Sequence, residues 1–489
     1  MPVINELKEY KNIINGNAVA SSTGEFIESM NPSTGIAWAR IPKSTTEDVE
    51  YTIQAARNAF PDWAALPPLQ RAELLRQIGD RLTDHAEELA TLETKDNGWV
   101  ISNTSYTLIT SLKQIWYDAA GLCNYASRGD TIPKGPTTFG YTYREPLGVV
   151  VGITPWNAPL FTFTIKAAYA LAAGNTVIIK PSEHASVSSL RYGEILASIL
   201  PPGVINVLSG YGTEIGDALV SNKEINKVSL TGSKATASAI TRATANNPKP
   251  FIFELGGKSP NIIFEDANLD KVMERLLPYS IFTGNAGQIC VAGSRILIQK
   301  SIFEEVIKGF KQAMESVKLG NTLNMQTTMG PIGNLSQYKK VISYIELGEK
   351  EGDIIAGGKS GGNVLLHGNH ELENGYWVEP TLIKVDNHRH RVCQEEIFGP
   401  VAVVIPFETE EEAIAIANDT DFGLAAGIWT TDLARAKRLI SKIDAGNVWV
   451  NTYSQVGIDL PFGGFKDSGF GTDSFIEYTR EKACVIEIG

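Results

Sequence analysis

Histidine is scarce in this chain, with six in 489 residues, and cysteine scarcer still, with four. Cys123, Cys290, Cys393 and Cys484 lie far apart with no paired spacing, which indicates neither a disulfide framework nor a zinc site. His388 and His390 lack further ligands at useful spacing and read as loop histidines rather than metal ligands. No apolar run reaches the length of a membrane span, and the most apolar, such as Leu147 to Ile153, are strand-sized. Basic charge is in deficit: 43 Lys and Arg stand against 55 Asp and Glu, a net charge of −12. The one local basic run, His388-Arg389-His390-Arg391, is too short for the basic face that a nucleic-acid partner requires. Met1 to Glu9 show no basic segment followed by an apolar core, so no secretory signal is expected and a cytoplasmic location is.

What remains is ordinary bulk: 20% charged and 43% hydrophobic residues suit a globular protein, and 489 residues exceed one core, so two or three domains are expected. The first 45 residues are polar, with Asn31-Pro32-Ser33-Thr34-Gly35 as a turn between short strands. Ser44-Thr45-Thr46-Glu47-Asp48 supplies capping side chains to a helix whose Val49, Ile53, Ala56 and Phe60 recur at helical spacing. Pro67-Pro68 opens a second helix, with Ala72, Leu75, Ile78 and Leu82 on one face.

From Gly148 to Glu254 strand-length apolar runs alternate with helical segments: Val149 to Ile153, Thr176 to Ile179, Val204 to Leu208, Val228 to Leu230 and Phe251 to Phe253. Such a pattern predicts a parallel α/β sheet covered on both faces, with ligands beyond the C-terminal strand ends. The first strand ends in Thr154-Pro155-Trp156-Asn157-Ala158-Pro159, where prolines fix the turn and leave the Asn157 amide free to point into a cleft. The second ends in Lys180-Pro181-Ser182-Glu183, a donor and an acceptor suited to ribose hydroxyls. The fourth runs into Leu230-Thr231-Gly232-Ser233-Lys234, without a GxGxxG, where a glycine at a strand-to-helix turn exposes N–H groups toward a pyrophosphate. After the fifth, Glu254 precedes Gly256 and Gly257: either a satisfied strand-end carboxylate or a general base with room to move.

Cys290 sits in Gly287-Gln288-Ile289-Cys290-Val291-Ala292-Gly293, whose glycines let the backbone approach something else closely. Two readings stand: a buried thiol in a glycine-rich loop, or a thiolate nucleophile whose own N–H faces the reacting oxygen. A nucleophile, a carboxylate base, an amide donor and a nucleotide site in one chain favour the second.

At this point the chain resembles the aldehyde dehydrogenase superfamily over almost its whole length. The motifs are Thr154-Pro155-Trp156-Asn157, Lys180-Pro181-Ser182-Glu183, Glu254-Leu255-Gly256-Gly257-Lys258-Ser259-Pro260, Gly287-Gln288-Ile289-Cys290, Glu395-Glu396-Ile397-Phe398-Gly399-Pro400 and Pro461-Phe462-Gly463-Gly464-Phe465-Lys466. The resemblance implies two Rossmann-like parallel α/β domains and a small β oligomerisation arm. Residues 1–123 and 147–256 would bind the dinucleotide, 257–468 would form the catalytic domain, and 124–146 with 469–489 the arm. It implies Cys290 as nucleophile, Asn157 as oxyanion donor, Glu254 as base for hydrolysis, and Lys166 as a further catalytic residue. It also implies NAD as cofactor, with NADP as the alternative, held by Thr154, Pro155, Trp156, Lys180, Ser182, Glu183, Gly212, Gly232, Ser233, Leu255, Gly256, Glu396 and Phe398. One departure is Ala235-Thr236-Ala237, where many relatives carry a second glycine. The C-terminal strand, Ala483 to Ile488, is expected to join a neighbouring subunit together with a hairpin from Asn124 to Pro146, giving a homodimer or homotetramer.

The expected reaction is oxidation of an aldehyde to a carboxylic acid through a Cys290 thiohemiacetal and thioester. A CoA-acylating relative would not need a base at Glu254, a phosphorylating one would pair its cysteine with a histidine, and a non-catalytic scaffold would lack Cys290 or Glu254. Positions resembling the substrate tunnel are Ala158, Thr162, Ile165 and Val456, with Phe462 as the retained ring, Gly284 as a less secure addition and Asp459 at the mouth. That lining predicts a wide apolar tunnel for medium-chain or aromatic aldehydes.

Overall fold

The computed structural model describes residues 7–282, 284–457 and 460–488. Strands Phe26–Asn31 and Ile36–Pro42 pair antiparallel across the anticipated turn, which Asn31 closes by accepting the Ser33 N–H at 2.9 Å. Thr45 and Asp48 form a reciprocal capping box at the start of Thr46–Ala65, and that helix buries Val49, Ile53 and Ala56. Pro68–Asp84 buries Ala72, Leu75, Ile78 and Leu82 completely. Two further helices were not anticipated. Ala86–Asn97 starts at His85 without a side-chain cap, and Ile109–Leu122 follows a π-helical stretch, so neither start carries a side-chain signal that a sequence displays.

The five anticipated strands form one parallel sheet in the order Phe251–Glu254, Ile225–Thr231, Val149–Thr154, Thr176–Pro181, Ile205–Val207. Alternation along them fills two cores. Val150, Val177 and Ile179 pack with helices Pro159–Ala172 and Val187–Ala197, whereas Val149, Val151 and Ile178 pack with Thr46–Ala65, Gly212–Ser221 and Lys234–Ala243. Both faces are therefore covered. Gly469–Phe470, grouped with the arm by sequence, adds antiparallel to the Phe251–Glu254 edge and sets Gly469 opposite Glu254.

A second sheet runs Asp353–Ala356, Thr381–Lys384, Val401–Phe407, Arg295–Gln299, Pro260–Ile263, Ala425–Trp429, Asn447–Val450, parallel except at the Asp353–Ala356 edge. Its anticipated helices are Phe303–Glu315 and Leu335–Glu351. The C-terminal strand Thr479–Glu487 pairs along its full length with Thr138–Pro146, which pairs in turn with Thr131–Pro133. Hairpin and terminus thus make a three-stranded arm within one chain. Among the described residues no helix is long and apolar enough to cross a membrane, and no cluster of His, Cys, Asp and Glu is arranged to hold a metal ion. His388 faces Asp419 at 2.7 Å and His390 the Glu351 carbonyl at 2.6 Å.

Candidate active site

Cys290 lies in an irregular loop between helix Leu269–Ser280 and strand Arg295–Gln299. Ala286 and Gly287 both take positive φ, 56° and 69°. A Cβ on Gly287 would lie 2.6 Å from the Ile281 carbonyl oxygen and 2.7 Å from that of Gly399, so the loop turns tightly against the Glu395–Pro400 segment only with glycine there. The buried Gln288 side chain pins the loop from below. It donates to the Asn285 and Pro331 carbonyls at 2.5 and 3.1 Å and accepts the Gly333 N–H at 2.8 Å. From the other side Tyr453 donates its hydroxyl to the Val291 carbonyl at 2.8 Å. Cys290 packs in a small cluster with Val291, Leu424, Ala425, Trp449 and Phe462. Burial first, and then the Glu254 and Glu396 carboxyls, push its thiol up to about 12, against the opposing pull of the Val291 and Cys290 N–H groups. At neutral pH the sulfur carries its proton.

The turn after Glu254 meets this loop directly: a Cβ on Gly257 would lie 2.6 Å from the Cys290 carbonyl oxygen. Glu254 is buried, and neither carboxylate oxygen makes a hydrogen bond to a described residue. Burial, then Asp473, raise its pKa well above the usual carboxyl range, while Lys166 opposes them. Behind it lies a connected polar group. Lys166 donates to Ser229 Oγ at 2.8 Å and to Asp473 Oδ2 at 3.1 Å, and Tyr478 donates to Asp473 Oδ1 at 3.0 Å. Asp473 also gives its N–H to the Phe462 carbonyl at 2.8 Å, which ties this group to the ring beside Cys290. Sequence reasoning missed Asp473, Ser229 and Tyr478. They are remote from Glu254 in the chain, and the pairing of Gly469 with Glu254 brings two of them in.

Asn157 differs from expectation in one respect. Its amide does not stand free in a cleft but donates to the Gln288 carbonyl at 2.7 Å, because that acceptor, two residues before Cys290, lies within reach. The side chain still addresses the cysteine loop.

The proposed cofactor residues gather along the strand ends. Thr154 is buried with its hydroxyl unbonded among the described residues, and Pro155 and Trp156 continue from it half-buried. Lys180 is buried, donates to the Pro181 carbonyl at 3.1 Å and lies 3.7 Å from the half-buried Glu183 carboxylate; burial lowers its pKa. Ser182 closes the turn, giving its N–H to Thr154 at 3.0 Å. Gly212 opens the helix Gly212–Ser221 and has nothing within 4 Å of a notional Cβ. Gly232 gives its N–H to the Glu254 carbonyl at 2.9 Å, and Ser233 caps Lys234–Ala243 by accepting the Thr236 N–H at 3.1 Å. The first-turn N–H groups of that helix are the remaining donors. Leu255 is buried and bonded to Ser468 at 2.9 Å. Glu396 accepts the Gly257 N–H at 2.9 Å, and a Cβ on Gly256 would fall 2.5 Å from its carboxylate, so glycine makes room for it. Phe398 has φ 60°, unusual for a bulky residue. Gln337 holds it there by donating to the Ile397 and Phe398 carbonyls at 2.8 and 2.9 Å, and its ring meets Trp156 edge-on at 5.5 Å.

Of the tunnel positions, Phe462 packs in the Cys290 cluster. Ala158, Thr162 and Ile165 fall at helical spacing along the start of Pro159–Ala172 and are half-buried, as is Val456. Trp449 adds a ring near Cys290 that the sequence reading missed. The space of a Gly284 side chain is taken by Asn103 and Trp99, 2.2 and 2.9 Å from a notional Cβ, so Gly284 opens no room. Asp459 lies outside the described residues.

The aldehyde dehydrogenase family model matches residues 18–485. Acetaldehyde dehydrogenase 2 of Cupriavidus necator is 40% identical over 474 residues, covering 96% of this chain and 92% of that protein. A putative aldehyde dehydrogenase from Burkholderia cenocepacia superposes with a TM-score of 0.94 at 35% identity, covering 98% and 97% of the two chains. PnpE, known from Pseudomonas sp. WBC-3, superposes equally well in its complex with nicotinamide adenine dinucleotide, at 36% identity and 98% coverage of both chains. A match that runs through both sheets and the arm, rather than through one motif, shows that the chain belongs to the aldehyde dehydrogenase family.

Proposed function

We propose that the protein oxidises an aldehyde to its carboxylic acid with NAD(P)+ by covalent catalysis at Cys290. The observation that carries this reading is Glu254: a buried carboxyl whose oxygens make no close hydrogen bond among the described residues, on a turn pressed against the cysteine loop. A structural carboxylate in that place would be hydrogen-bonded.

The minor thiolate form of Cys290, its proton released to solvent, bonds to the carbonyl carbon; the oxyanion that forms is met by the Cys290 N–H and by the Asn157 amide, which leaves the Gln288 carbonyl to reach it. The bound dinucleotide supplies the hydride acceptor, and the acyl group remains on Cys290 as a thioester. Glu254 then takes a proton from the attacking water, the C–S bond breaks, and the acid leaves as the thiol is restored. Behind Glu254 the Lys166 ammonium pairs with Asp473, and its charge favours the ionised form of Glu254. The site residues suit the dinucleotide: a carboxylate seated on a glycine turn, a buried Thr154 hydroxyl that is unbonded among the described residues, and a lysine–glutamate pair at a strand end. Glu183 would accept ribose hydroxyls and repel a 2′-phosphate, which favours NAD over NADP.

In the substrate tunnel, Ala158, Thr162, Ile165 and Val456 leave width beside Phe462. The Cupriavidus relative is named for acetaldehyde, whereas a wide apolar tunnel gains roughly 0.8 kcal/mol per buried CH₂, about fourfold in affinity per carbon. A panel of straight-chain aldehydes with NAD and NADP tests the reading. We expect kcat/KM to rise from acetaldehyde to octanal and to be higher with NAD, and Ala158→Phe to flatten the rise. A flat or falling series sinks the tunnel assignment, and no oxidation of any aldehyde sinks the activity.

We also assign residues 1–123 and 147–256 to cofactor binding, 257–468 to catalysis, and 124–146 with the C-terminal strand to an oligomerisation arm. Four free cysteines suit a reducing, cytoplasmic setting.

A further inference from the structure

The Gln288 carbonyl, two residues before Cys290, accepts two side-chain amides. Asn157 donates to it at 2.7 Å from the turn after strand Val149–Thr154, and Asn285 donates at 3.1 Å from within the cysteine loop itself. A carbonyl oxygen has two lone pairs, so both bonds form together. Gln288 is 1% and Asn285 4% exposed, which leaves neither donor a substitute in bulk water. Positive φ at Ala286 and Gly287 folds the chain back far enough for Asn285 to reach a carbonyl three residues on. The Gln288 side chain returns the contact by donating to the Asn285 carbonyl at 2.5 Å, and its further bonds to Pro331 and Gly333 fix the acceptor in place.

To meet an oxyanion, the Asn157 amide must leave that carbonyl. Without a second donor each departure would orphan a buried carbonyl, and the penalty would come directly off the stabilisation of the oxyanion. We infer that Asn285 is a positioning residue: its amide keeps the Gln288 carbonyl bonded while the Asn157 amide turns to the oxyanion, which frees Asn157 at small cost. The inference rests on the reading of Asn157 as oxyanion donor, and in this role Asn285 acts through Asn157 alone. Addition of the sulfur to an aldehyde forms an oxyanion and depends on the exchange. Alkylation of the same sulfur by iodoacetamide is a displacement at saturated carbon, forms no oxyanion and does not depend on it.

The test is a double-mutant cycle on the intact enzyme, in the wild-type and Asn157→Ala backgrounds. It is read by kcat/KM for octanal at saturating NAD and by the rate of Cys290 alkylation with iodoacetamide in the absence of cofactor. Asn285→Leu keeps the shape of the side chain without its donor, and Asn285→Ala removes it. Either should lower kcat/KM roughly tenfold in the wild-type background. Where Asn157 is already absent, the Gln288 carbonyl is in the same state before and after the oxyanion forms, so the same changes should cost less than about twofold. Alkylation rate and NAD affinity of the single Asn285 variants should stay within about twofold of wild type. Undiminished kcat/KM in both Asn285 variants overturns the inference. So does an equal loss in the two backgrounds, or alkylation that falls in step with kcat/KM, since Asn285 would then only shape the loop. Undiminished kcat/KM in Asn157→Ala overturns the oxyanion reading of Asn157 and the inference with it.

Discussion

At the residue scale the site is a set of groups held in the wrong charge state for water and the right one for a closed pocket. A thiol pushed up to about 12 means that resting Cys290 is largely neutral, while burial raises the neighbouring Glu254 carboxyl well above its usual range. The thiolate fraction therefore rises about tenfold per pH unit through the alkaline range. Iodoacetamide labelling of the Cys290 peptide in the cofactor-free enzyme should accelerate in that proportion from pH 7 to 10 without levelling. A plateau near pH 8 would show a stabilised thiolate and contradict the electrostatics described. Cys290, Glu254 and Asn157 are legible in the chain because each stands beside glycines or prolines, at turns that follow or precede apolar runs. Asp473 and Tyr478 are not legible: an aspartate after a glycine-rich turn looks like any loop residue until Gly469 pairs with Glu254. Gln337 is likewise hidden, since nothing in a helix start announces that its amide holds Phe398 at positive φ.

Strands were easier to read than helices, for a physical reason. Buried parallel strands are continuous apolar runs, as in Val149–Thr154 and Thr176–Pro181, and their polar terminal residues mark the ligand side. The run Val228 to Leu230 stops short of the strand Ile225–Thr231 because Lys227 precedes it, with its ammonium 3.5 Å from Glu477 and over the Tyr478 ring. Helix Ala86–Asn97 carries a different hidden feature. Glu93 is fully buried, accepting the Leu160 N–H at 3.5 Å through one oxygen and bonding nothing described through the other. Burial raises it to about 8, against ~4.3 in the unfolded chain. A raised acid costs stability progressively as pH climbs from the unfolded pKa to the folded one, and that loss is complete above about pH 8. Glu93→Gln removes the dependence. Its stabilising effect in urea unfolding should be roughly 2–4 kcal/mol larger at pH 8.5 than at pH 5. An equal effect at both pH values would mean that Glu93 is ionised in the native state.

Across the whole molecule, the two sheets present the ends of their strands to one loop system, so Cys290, Glu254 and the proposed cofactor residues come from segments far apart in sequence. The arm serves neither sheet. Its outer strand, Thr479–Glu487, leaves Val485 60% and Ile486 42% exposed on an open edge nine residues long, a surface that a soluble chain covers or charges. We expect a homodimer or homotetramer by analytical ultracentrifugation, and Val485→Lys with Ile486→Lys to shift it toward the monomer without loss of secondary structure. A wild-type monomer at micromolar concentration would leave the arm without that role. The central claim, an acyl group carried by Cys290 and released by Glu254, is tested most directly in Glu254→Gln mixed with octanal and NAD. The account predicts one equivalent of NADH per site, then arrest, with intact mass raised by a single octanoyl group that maps to the Cys290 peptide. Undiminished steady turnover, or NADH formed with no adduct on Cys290, would contradict it.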